Sequence, residues 1–175
     1  MKKVKQGYNY FFYKIYKLIE YTSEMGGGIF WSDWKAGIVV DVLGFFLYFS
    51  ILIYYKIIVN DNEELDNVII FIGLLFIIIP NYFMFHHQAQ WKRIITKFDQ
   101  LPRKKNILGS WMVFGIVLLI IGNFIFSFYC LDRQARKDQV GPYAPEIVAK
   151  ERREDSLQKA KQIENLKKIY GEDKK

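Results

Sequence analysis

The chain has 175 residues, a net charge of +7 and 51% hydrophobic side chains, a length that suits one domain. Its mean hydropathy lies near zero, but that average conceals three long, nearly uncharged apolar runs among polar segments and a charged tail. A water-soluble domain spreads its apolar residues at periods of 2 or 3.6, so runs of this length read as membrane spans instead. The positive balance does not call for nucleic acid: no motif for it is visible, and the cations stand beside the apolar runs, where anionic headgroups account for them.

Residues 1–35 form the first segment. MKKVKQ is basic, but Lys14, Lys17 and Glu20 interrupt the apolar stretch behind it and no small-x-small site appears, so a cleaved signal peptide is not expected. Within GYNYFFYKIYKLIEYTS, at 7–23, Lys14, Lys17, Glu20 and Glu24 make one helical stripe. The rest of that surface is aromatic or aliphatic. This predicts an amphipathic helix that lies in the cytoplasmic interface or packs under the bundle. MGGG, at 25–28, ends it. Trp31 and Trp34 suit the headgroup layer, and Ser32 or Asp33 can cap the first membrane helix.

The expected transmembrane domain covers 36–131, with spans at about 36–59, 68–85 and 107–131. Lys56 can snorkel from the end of the first span. Pro80 in the second predicts a kink, with Asn81 available to satisfy the freed carbonyl. Gly115 and Gly122 share one face of the third and permit close helix contact, read as packing within the three-helix bundle. The runs lack the strict alternation of a membrane barrel.

NDNEELDN, at 60–67, holds four carboxylates and no Lys or Arg. Residues 86–106 hold Lys92, Arg93, Lys97, Arg103, Lys104 and Lys105 against one carboxylate, Asp99. Positive charge stays cytoplasmic, which places the N-terminus inside, the acidic loop outside, and the C-terminus periplasmic or external. Arg133, Arg136 and Lys137, close behind the third span, oppose that assignment. In the basic loop, Trp91, Ile94, Ile95 and Phe98 fall at i, i+3, i+4 and i+7, predicting a second interfacial helix. Lys14, Lys17, Trp31, Trp34, Trp91, Lys92, Arg93, Lys97, Arg103, Lys104 and Lys105 are the expected membrane-surface contacts.

Asp41 is the one carboxylate inside a span. It is either a functional intramembrane acid, for a proton or cation, or a paired or hydrated acid near the cytoplasmic edge, facing Lys35 or the 103–105 cluster. His86 and His87 are adjacent and point about 100° apart on a helix, so they do not chelate as an i, i+4 pair would. They read as polar interface residues, with a pH-sensitive contact as the alternative. The single Cys130 reads as a small apolar residue at a membrane edge, with an intermolecular disulfide as the alternative. No catalytic motif is present, and no catalytic residue, metal or cofactor is expected. The charged tail, 132–175, opens with a Gly- and Pro-punctuated loop at 132–145 and continues as a helix from Glu146 to about Tyr170. Leu157, Ala160, Ile163, Leu166 and Ile169 make a thin apolar stripe on it.

YNYFFYKIYKLIEYTS, FWSDWKAG, IIIPNYF and LPRKKNILGSWMVFGIVLLIIGNFIFSFY lie between positions 8 and 129. In these stretches the chain resembles small three-span membrane proteins typical of Bacteroidota. That resemblance carries no activity; it implies an accessory or immunity role beside toxin or secretion systems. The expectation is an all-α integral protein of the inner membrane, not an enzyme. It would meet anionic lipid and a protein partner, or a second copy, through its interfacial helices or tail. The alternative is a small oligomeric pore or ion-coupled subunit using Asp41.

Overall fold

A computed structural model describes residues 2–25, 31–59 and 67–171. Among them the chain is almost wholly helical, with no strand. The helices are α1 (Lys2–Met25), α2 (Ser32–Val59), α3 (Asn67–Asn81), α4 (Gln90–Asp99), α5 (Arg103–Asp138) and α6 (Pro145–Tyr170). The glycines at 26–28 and all of the acidic loop except Asn67 lie outside the described residues. Three helical stretches are long and apolar enough to cross a membrane: Ser32–Val59, Asn67–Asp99 and Arg103–Tyr143. They expose large apolar side chains such as Ile51, Phe71, Phe76, Leu119 and Ile125, a surface suited to lipid and not to water. Two of their buried hydroxyls are satisfied locally: Ser50 donates to the Phe46 carbonyl at 2.8 Å and Ser127 to that of Phe124 at 2.7 Å.

The chain divides into two compact units, 1–128 and 129–175. In the first, the core sits at one end of the spans, where α2 begins, α3 ends and α5 begins. Phe12, Tyr13, Ile15 and Tyr16 of α1 are buried there with Ala36, Val40, Phe85, Ile94, Phe98 and Val113. Phe12 and Phe85 are fully covered and stack at 4.1 Å between centroids. The aromatic face of α1 is therefore a packing face beneath the helices, the second of the two placements that its pattern allows. Residues left exposed on α1 include Leu18 and Tyr21. The other end is joined by side chains. Phe46 stacks on Phe124 at 4.3 Å, Tyr54 donates to Asn123 Oδ1 at 3.0 Å, and Tyr48 donates to the Ile69 carbonyl at 2.9 Å. Gly73 makes room for the Tyr48 ring, which a Cβ would strike.

Two local expectations change. The helix runs through Pro80 and breaks later: a π turn spans Tyr82–His86, a short 3-10 turn comes next at His87–Ala89, and Gln88 and Ala89 are left-handed at φ 53° and 52°. Proline removes one donor, and the wider turn after it, closed by the His87 N–H on the Tyr82 carbonyl, takes up the irregularity. Likewise α5 does not stop at 131 but continues to Asp138. The Asp132–Arg136 ion pair at 3.0 Å and the Gln134–Asp138 hydrogen bond at 2.7 Å favour helix there. The second unit then turns through Gly141–Tyr143 into α6, where Glu164 and Lys168 pair at 2.8 Å.

Candidate functional site

The polar groups of the first unit gather at the same end as its aromatic core. Asn81 is the hub. Its Nδ2 donates to Asp41 Oδ1 at 2.5 Å, and its Oδ1 accepts from the Tyr8 hydroxyl at 2.7 Å. Three helices thus meet in one chain of hydrogen bonds. Asn81 is buried, and an amide with one donor and one acceptor engaged is what such a position requires. This corrects two expectations. Asp41 does not pair with Lys35 or with the 103–105 cluster, and the Asn81 side chain serves Asp41, not the carbonyl freed by Pro80. Lys35 instead reaches Ser23 at 3.5 Å.

His86 adjoins this hub. Its Nδ1 stands 3.9 Å from Asp33 Oδ2, and its ring stacks on Trp34 at 4.3 Å and 14°. The charge of Asp41 also acts on it. Asp41 therefore has a histidine, His86, in its electrostatic surroundings, which the sequence spacing does not reveal. Trp34, expected in the headgroup layer, also borders Tyr82. Trp31 and Trp34 are both exposed.

A second group pins α1 in place. Asp99, the sole carboxylate of the basic loop, accepts from Tyr13 at 2.9 Å and pairs with Lys17 at 3.4 Å. Lys17 also pairs with Glu20 at 2.9 Å. Burial lowers the Lys17 pKa, but Glu20 and then Asp99 outweigh it, leaving it above the usual lysine value. Lys14 donates to the Asn106 carbonyl at 2.8 Å and to its Oδ1 at 2.6 Å, and lies over the Tyr10 and Tyr13 rings. Burial lowers its pKa against the weaker pull of Asp99. Both lysines therefore have partners within the protein. Tyr16, stacked near Trp91, has its pKa raised to about 12 by burial and then by Glu20.

Lys92, Arg93, Lys97, Arg103, Lys104 and Lys105 differ: all are exposed, and none has a carboxylate partner among the described residues. The first three stand on α4, which turns Ile94 and Phe98 into the core, with Trp91 and Ile95 half-covered, and the other three open α5. Gly115 and Gly122 face open space, with no neighbour where a Cβ would stand. Cys130 is a free thiol, half-buried.

Sequence reasoning missed three residues. The sequence offers Asn81 only as a partner for the carbonyl freed by Pro80. Asp99 carried a signal, being the one acid among six cations. Asp33 carried one too, since Asp33, Gly37 and Asp41 recur every four residues on one face of α2. No protein-family model, curated protein or solved structure matches the chain.

Proposed function

We propose that this chain is a small multi-pass protein of the inner membrane that works by protein contact, as an accessory or immunity-type subunit. Three helices anchor it, N-terminus inside and C-terminus outside. The unpaired cations of α4 and of the start of α5 meet anionic headgroups. The observation that carries the contact reading is α6: a helix of 26 residues whose apolar stripe, Leu157, Ile163 and Leu166, is exposed. A helix with an exposed apolar stripe gains stability when a partner covers that stripe. The alternative, an Asp41-dependent pore or ion-coupled subunit, is less well supported, because the Asp41 carboxylate is already hydrogen-bonded by Asn81.

A photo-cross-linking residue placed in turn at Leu157 and Leu166 in cells tests the reading. The expected result is a discrete adduct, with one other protein or a second copy, that is absent when the residue is at exposed Glu151. No adduct at either position, together with an Asp41-dependent conductance in planar bilayers, would overturn it in favour of the alternative.

A further inference from the structure

Asp33, Gly37 and Asp41 lie one helical turn apart along α2. His86 lies across the middle of this face. A Cβ on Gly37 would come within 2.5 Å of His86 Nε2, so the imidazole rests against bare backbone. Asp33 stands beside Nδ1, Asp41 lies one turn further on, and Trp34 covers the ring. The side chains of His86 and Asp33 are only 9% and 19% exposed.

We propose that His86 is a proton-binding site, an imidazole held across Gly37 between Asp33 and Asp41, and that its protonation clamps the π turn after α3 to α2. At 3.9 Å the Asp33 contact is too long for a hydrogen bond. The neutral ring is held by stacking and by shape. A bound proton makes both ring nitrogens donors and gives the two carboxylates a shared cation. It also strengthens the stack on Trp34. Histidine suits the role because its proton exchange falls nearest neutral pH. Burial opposes the charge and the two acids favour it.

No other cation pairs with these acids among the described residues. On α2, Lys35 reaches Ser23. On α1, Lys14 holds Asn106, and Lys17 holds Glu20 and Asp99. Tyr8 is linked to Asp41 by hydrogen bonds through Asn81 and also feels its charge, and Tyr16 feels the charge of Asp33. The α4 cations Lys92, Arg93 and Lys97 make no ion pair here. On its own segment His86 has Tyr82 at 6.3 Å and His87 adjacent. Beyond His86 and His87 come the left-handed Gln88 and Ala89 and then α4. The clamp therefore fixes the point from which α4 departs. This site does not depend on the contact role of α6.

The test is imidazole nitrogen NMR on the full chain in zwitterionic nanodiscs, across roughly pH 4 to 9. His86→Gln assigns the signal, and His87 serves as the internal reference. The expected result is one protonation of His86 in that range, with proton affinity about tenfold lower in Asp33→Asn and in Asp41→Asn. Asp33→Glu keeps the charge and restores the affinity, which separates electrostatics from damage to the fold. Amide exchange over 82–90, corrected for its intrinsic pH dependence, should slow below the His86 midpoint in the wild type and not in His86→Gln. A His86 that takes up no proton, a midpoint that neither asparagine variant moves, or exchange at 82–90 that ignores the midpoint would overturn the proposal.

Discussion

Phe12→Ala tests whether α1 is a structural element of the bundle or a float on the membrane surface. The ring is 0% exposed and stacks on Phe85 at 4.1 Å and 10°. Taking a phenylalanine ring out of water is worth about 1.5–3 kcal/mol. A stacked aromatic partner adds about 0.5–1.5 kcal/mol. The cavity left beside Phe85 brings the expected loss to about 3–5 kcal/mol. Phe76→Ala is the control: its ring is 80% exposed on α3 and removes no packing partner, so a change within about 0.5 kcal/mol is expected. Reversible unfolding in mixed micelles gives both values, and limited proteolysis of α1 gives a local readout. The packing account requires Phe12→Ala to cost several times more than Phe76→Ala and to open α1 to protease. A loss below about 1 kcal/mol, equal to the control, would refute it.

Other perturbations probe the same geometry. Asn81→Leu strips the Tyr8 and Asp41 hydrogen bonds and leaves the acid without its donor; a loss of about 1–3 kcal/mol is expected, and a Tyr8→Phe/Asn81→Leu cycle should be strongly non-additive. Gly109→Ala would drive a methyl into the Tyr10 ring, whereas Gly122→Ala meets open space. Thermal unfolding should therefore show a loss of about 1–3 kcal/mol for the first and a neutral or slightly positive change for the second. The Tyr16 pKa, raised from 10.0 to about 12, sets a sign for alkaline pH. Between those values the unfolded chain ionises first, so stability falls as pH rises through the window. Tyr16→Phe should flatten that part of the curve, and an unchanged slope would mean the hydroxyl does not feel Glu20 and burial as described.

The three long apolar helices were legible because an unbroken apolar run is a one-dimensional signal: length at 1.5 Å per residue is enough to recognise it. The inward face of α4 was legible for a similar reason, since Trp91, Ile94, Ile95 and Phe98 repeat at helical spacing. For α1, the pattern identified an apolar face but not what would cover it, because lipid and protein select for the same aromatic residues. Lys14 and Lys17 illustrate the difficulty. A lysine beside tyrosines reads as a snorkelling surface cation, yet here the two engage Asn106 and Asp99, partners 92 and 82 residues away. The end of the second span was not legible because Pro80 marks a missing donor but not where the helix responds to it. Asp41 stands out in the sequence as an acid in an apolar run, while its partner Asn81 and its neighbour His86 depend on how α2 and α3 are registered, which no single run encodes.

The side of the membrane on which each segment lies is the measurement that bears most directly on the account. Paired reporter fusions, one active only outside and one only in the cytoplasm, would be placed at the N-terminus, in the 60–67 loop and after Lys175. Three spans with the basic loop inside predict an internal N-terminus, an external loop and an external C-terminus, with α6 available to partners in the envelope. A cytoplasmic C-terminus beside an external loop would mean that one apolar helix fails to cross. A cytoplasmic C-terminus beside a loop that is also internal, or an external N-terminus, would contradict the charge-based orientation.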